Sequence, residues 1–174
     1  YIHHKHPRII TDYETEAIKE NIYVGPSYSD TEIINFLKSE NIRYKTFERE
    51  SLLERTATLI SEGKIVGWYQ GKMEWGPRAL GNRSILADPR DPKMKDILNE
   101  KIKHREQFRP FAPSVMEEFA SEYFDISAYS PYMLMVANVK QPEKIPAVTH
   151  VDGTSRLQTV SKKVNQLYYD LINE

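Results

Sequence analysis

Along this chain, segments whose apolar residues recur three and four apart alternate with short runs that are apolar throughout, so helices and strands are predicted to mix. In "SYSDTEIINFLKSENI", Ile33, Ile34, Phe36 and Leu37 share one face, while Ser29 and Glu32 have the spacing of a capping box; a surface helix is predicted. "SLLERTATLISEG" repeats that rhythm, with Leu52, Thr56, Leu59 and Ile60 on one side and Gly63 as the stop. "IYVGP" ahead of both reads as a short strand and turn, and "KIVGWYQ" behind them as a buried strand. A third helix is predicted from Pro92 through "KMKDILNEKIKHREQF", with Met94, Ile97, Leu98 and Ile102 inward and Lys95, Asn99 and Lys103 on the opposite stripe; Lys101 falls on the apolar side.

The remainder continues the mixture. "FRPFAPSV" fits an edge strand or fixed turn, "MEEFASEYF" a short helix and "YMLMVANVK" an apolar strand. "THVDGTSRLQTV" turns at Asp152-Gly153 into another strand, and "NQLYYDLINE" is an amphipathic helix. The expected fold is α/β, a mixed α+β domain around one sheet over residues 21–174, preceded by a linker over residues 1–20. Because such folds feed helices back onto strands, a further strand is expected after the last helix, which predicts a domain incomplete at its C-terminal end.

Composition narrows the classes. With 174 residues, 40% hydrophobic and 28% charged, the chain has a globular profile and room for one core. No apolar run nears the ~20 residues of a membrane span. The absence of cysteine removes disulfides, thiol nucleophiles and thiolate metal sites, and a cytoplasmic location is expected by default. His3, His4 and His6 lack carboxylate support and read as a solvated tail, and no metal ligand set is assigned.

Net charge is −1, yet residues 72–109 carry ten Lys/Arg against six acids. Such local basicity suits a small-anion pocket better than a broad nucleic-acid face, although a compact RNA-binding patch stays open. Within it, "GPRALGNRSIL" brackets Arg78 between Gly76 and Gly81, a platform on which main-chain N–H groups can face a ligand. Two readings of its arginines remain. They pair with acids such as Glu74 and Asp88, or Arg78, Lys103, Arg109 and Arg156, each beside turn-forming residues, converge on one anion. Convergence at about 6 Å would set each pair against the other by roughly 3 kcal/mol at an effective dielectric near 20, which an anion relieves. The Walker pattern is absent, and neither Ser84 nor Ser114 has a nucleophile-elbow context. His150 with Asp152 reads as a structural turn more than an acid/base pair. Trp68, Tyr69, Trp75, Phe108 and Phe111 serve core packing or base stacking.

The run "GKMEWGPRALGNRSILADPRDPKMKDILNEKIKHREQFRPFAPSV", with "IPAVTHVDGTSRLQTV" and "VGPSYSDTEI", closely resembles the C-terminal domain of the carbamoyltransferase family of nodulation protein NodU and the antibiotic O-carbamoyltransferases acting on tobramycin and cephalosporins. The resemblance implies a YrdC-like twisted open sheet with flanking helices. It implies binding of carbamoyl phosphate and of ATP with its Mg²⁺, formation of carbamoyl adenylate, and transfer to an acceptor hydroxyl by an N-terminal domain that holds an iron-type metal and is not in this sequence. Arg78, Lys103, Arg109 and Arg156 then take the phosphate and carbamoyl groups, with Arg83, Ser84, Asn99 and Arg105 orienting them. Lys72 departs from the family's usual arginine and loses a bidentate fork. A final strand bearing Asn-Thr-Ser-Phe-Asn is also missing, so the piece is expected to be inactive alone. A noncatalytic RNA- or nucleotide-binding module of YrdC-like fold is the alternative.

Overall fold

The capping box at Ser29 does what its spacing predicts. In the structure, a computed structural model that describes residues 22–174, Ser29 Oγ accepts from Glu32 N at 3.3 Å and Glu32 Oε2 accepts from Ser29 N at 2.7 Å, starting α1 (Asp30–Ser39). The linker over 1–20 and its histidines lie outside the described residues. No side chain of α1 is fully buried and Phe36 is 60% exposed, so the expected apolar face is only partly covered. α2 (Arg49–Ser61) ends in a Schellman turn, with Gly63 at φ +77°, Gly63 N bonded to Ile60 O and Lys64 N bonded to Leu59 O. Its buried face is Leu53 and Thr56, one residue round from the expected Leu52 stripe. Leu53 is the side chain that reaches Trp68 and Tyr168 in the core.

The fold is mixed α+β, but among the described residues three two-stranded ladders replace the single sheet expected. β1 (Val66–Tyr69) runs antiparallel to β2 (Arg83–Leu86), with Val66 opposite Leu86 and Tyr69 opposite Arg83. Only Trp68 of β1 is buried, because a two-stranded ladder covers one face. "IYVGP" is not a strand, although Gly25 N and Trp75 N donate to Met73 O and Ile22 O and tie it beside residues 73–75. β3 (Ser114–Met116) lies parallel to β6 (Gln158–Val160), and β4 (Val136–Asn138) antiparallel to β5 (Thr154–Arg156). Fully buried Leu157 alone separates β5 from β6 and turns the chain from one ladder to the other. The strand expected through "YMLMVANVK" shrinks to β4, since Met133 at φ +54° breaks the extension.

The third helix also departs from its pattern. α3 (Met94–Leu98) passes into a π-helical turn over Asn99–Lys103, closed by His104 at φ +47°. The wider turn swings Asn99 inward and leaves Ile102 exposed, reversing the stripe expected for both. α4 (Ala120–Tyr123) follows a 3₁₀ turn, and α5 (Gln166–Asn173) starts at Asn165, whose Oδ1 accepts from Tyr168 N. Arg49 on α2 and Asp170 on α5 join across the surface at 2.5 Å. Three buried clusters hold these parts together. One gathers Phe124, Val139, Ile145 and Leu157, another Leu53, Trp68, Val160 and Tyr168, and the third Met94, Leu98 and Ala147.

Candidate functional site

The glycine-bracketed stretch folds around a carboxylate from its own loop between β1 and β2. Buried Glu74 presents Oε1 to the amides of Leu80 (2.8 Å), Asn82 (2.7 Å) and Arg83 (3.0 Å), and Gly81 N donates to Ser84 Oγ at 2.9 Å. Gly76 (φ +114°) and Gly81 (φ +104°) supply the left-handed turns this ring needs. The platform of N–H groups expected to face a ligand is therefore filled internally, because a buried acid sits where an external anion was anticipated. Burial works to raise the Glu74 pKa, but the amides outweigh it and hold the group below the ordinary carboxylate range.

Behind this loop lies a buried polar network that spacing along the chain could not show. Gln70 Nε2 donates to Asn82 Oδ1 (2.9 Å) and Asn165 Oδ1 (2.7 Å), and Asn165 Nδ2 donates to Asn82 Oδ1 (2.9 Å). Tyr23 Oη and Gln158 Nε2 both donate to Leu80 O, at 2.7 and 3.0 Å. Tyr168 Oη continues the chain to Ser114 Oγ (2.9 Å), which donates to Gln158 Oε1 (3.0 Å). The partners come from the end of β1, the site loop, β3, β6 and α5, so the loop is held by distant parts of the fold.

In front of the loop opens a cleft of about 1380 Å³, large enough for a nucleotide and a second small substrate. Of the residues expected to act, Arg78, Ser84, Lys103, Arg105 and Arg156 line it, and Lys144 and Arg90 join them unforeseen. Arg90 is already engaged, gripping Asp88 through Nε at 2.8 Å and Nη2 at 2.6 Å; these bonds foremost depress the Asp88 pKa. No carboxylate among the described residues stands within ion-pair distance of Arg78, Lys103, Lys144 or Arg156. Arg156 Nε is buried with no hydrogen-bond partner. Burial first, and repulsion from Arg78 second, lower the Arg156 pKa.

Three expected residues stand apart from the cleft lining. Arg109 pairs with Glu106 at 2.8 Å on the surface. Asn99, wholly buried, donates through Nδ2 to Arg109 O (2.9 Å) and accepts from Arg105 Nε (2.7 Å), thereby steering Arg105 over the Phe111 ring at 4.7 Å. Arg83 spends its fork on the carbonyls of Pro26, Gln70, Gly71 and Asn82 and lies over the Tyr69 ring at 3.6 Å. The acid pairing anticipated as one option for Arg78 and Arg83 does not occur, since Glu74 takes amides and Asp88 takes Arg90.

The other expected features fall as follows. Exposed Lys72 meets the network only through its carbonyl, which accepts from Asn82 Nδ2 at 2.7 Å. Of the aromatics, Phe111 lines the cleft, Trp68 is core, and Trp75 and Phe108 face solvent. Asp152 caps its own turn on Thr154, whose hydroxyl also meets His150 Nδ1 at 3.1 Å, the structural use expected. No three His, Cys, Asp or Glu among the described residues gather as a metal site, and none of the described helices is long and apolar enough to cross a membrane.

A mixed α+β domain with a cleft lined by Arg78, Lys103, Lys144 and Arg156 is thus the class that fold and side chains define. More particularly, residues 57–174 match the carbamoyltransferase C-terminus, and the chain belongs to that family. It is 44% identical to nodulation protein NolNO of Sinorhizobium fredii over 88% of this chain and 24% of that protein. It is 42% identical to nodulation protein NolO of Bradyrhizobium diazoefficiens over 88% of this chain and 29% of that relative. With nodulation protein U of Rhizobium tropici the figures are 45% identity, 71% and 22%. The chain thus spans about a quarter of the length of the curated relatives it matches.

Proposed function

We propose that the cleft binds carbamoyl phosphate and ATP and forms carbamoyl adenylate, which the rest of the intact protein transfers to an acceptor hydroxyl. The observation that carries this reading is the Arg78–Arg156 pair, two guanidiniums that repel each other at the cleft while Arg156 Nε is buried unpartnered. A phosphate relieves both, accepting charge-assisted bonds worth about 1.5–3 kcal/mol each. Family membership supports the carbamoyl donor.

In this scheme water cleaves carbamoyl phosphate, releasing phosphate and carbamate. A carbamate oxygen then attacks the α-phosphorus of ATP, and the α–β bridging oxygen leaves with pyrophosphate. The chain supplies no nucleophile. Arg78, Lys103 and Arg156 hold the phosphoryl oxygens and stabilise charge as it develops, Arg105 stays fixed against Phe111, and Lys144 adds a further cation at the wall. Mg²⁺ would enter on the nucleotide's own phosphates and neutralise their charge. Arg109 and Arg83 act through the loops they brace.

The test is exchange of labelled pyrophosphate into ATP, dependent on carbamoyl phosphate, in the intact protein. Arg78→Ala and Arg156→Ala are each expected to lower it by roughly ten- to a hundredfold. Undiminished exchange in both variants would refute the assignment.

A further inference from the structure

The Arg78 side chain has no hydrogen-bond or ion-pair partner among the described residues, so no polar contact fixes the guanidinium and the backbone of its loop sets the region it can reach. That backbone is closed at its base by one atom. Glu74 Oε1 joins Leu80 N, making residues 74–80 a ring, and its bonds to Asn82 N and Arg83 N anchor the ring to the first residue of β2. Pro77 restricts the chain just before Arg78, and Gly76 makes the turn. Gly81 lies so close to the Tyr168 ring that a Cβ there would come within 2.3 Å of it. Without the carboxylate, three amides, two of them buried, lose the acceptor that closes the ring.

We propose that Glu74 is the positioning residue for Arg78, its buried carboxylate acting as an internal anion that shapes the loop so that the guanidinium meets an external one. This rests on the anion-site reading above. Glu74 touches no substrate in it; its action passes through three amides and one loop.

The test is a double-mutant cycle on the intact protein, with carbamoyl phosphate as the titrated probe and affinity as the readout. Arg78→Ala is expected to weaken binding at least about tenfold. Glu74→Ala should weaken it to a similar degree, and the double variant should be no weaker than Arg78→Ala alone. Glu74→Gln, whose amide oxygen keeps an acceptor at the same place without the charge, should recover part of the affinity lost in Glu74→Ala. A general loss of structure would instead weaken binding further in the Arg78→Ala background and would not be rescued by Gln. If Glu74→Ala does not fold, Glu74→Asp, one methylene too short to reach all three amides, takes its place in the cycle. Additive effects, or normal binding by Glu74→Ala beside a weakened Arg78→Ala, would overturn the positioning role alone. An Arg78→Ala variant that binds normally would overturn the anion-site reading and this inference with it.

Discussion

Tyr168 shows how much one side chain carries here. Its ring packs against the backbone of Gly81 and its hydroxyl donates to Ser114, so it links the last helix to the Arg78 loop and to β3. Gly81→Ala sets a methyl group into that ring at a φ of +104°, and the expected cost is about 1–3 kcal/mol, read as a lower urea midpoint. Burial pushes the Tyr168 hydroxyl up to about 12, whereas an unfolded tyrosine ionises near 10. The folded state therefore favours the neutral phenol. Its contribution is complete below pH about 10 and is lost as pH rises toward 12, by roughly 1.4 kcal/mol per unit. Urea midpoints across that window should fall more steeply for the unmodified protein than for Tyr168→Phe, and equal slopes would remove Tyr168 as the cause.

Among the elements, α5 matters more than its eight residues suggest. Asn165 caps it through Tyr168 N and also reaches Gln70, Asn82 and Tyr23, so one carboxamide joins helix start, hairpin and site loop. Asn165→Ala should cost about 2–4 kcal/mol, more than an ordinary cap, because buried partners are left unpaired. Chemical denaturation with an unchanged m-value checks this; a loss near 1 kcal/mol would mean that the cap alone counts. Local signals gave the helix start at Ser29 and the helix stop at Gly63 correctly, since capping and left-handed turns act within a few residues. They failed at Asn99, where a π turn driven by bonds to the 105–109 loop overrode the 3.6-residue stripe.

Across the whole molecule, the cleft collects cations from five separate regions: the Arg78 loop, Arg90 after β2, the Lys103–Arg105 turn, Lys144 and β5. A basic middle third within a chain of net charge −1 was visible in the residues themselves. Which of those charges remain open to a ligand was not. Arg83, Arg90 and Arg109 are chemically the equals of Arg78 and Arg156, yet folding gives them carbonyls or carboxylates as partners and leaves the other two on the cleft with no carboxylate partner among the described residues. Periodicity and capping residues determined the mixed α+β class and the helix ends at Ser29 and Gly63, and the resemblance of a contiguous run gave the family, because each is expressed over a few neighbours or an unbroken stretch of chain. Tertiary structure decided that Glu74 fills the loop, that Asn99 turns inward and that Arg156 Nε is stranded, because each depends on what distant segments bring within 3 Å or fail to bring.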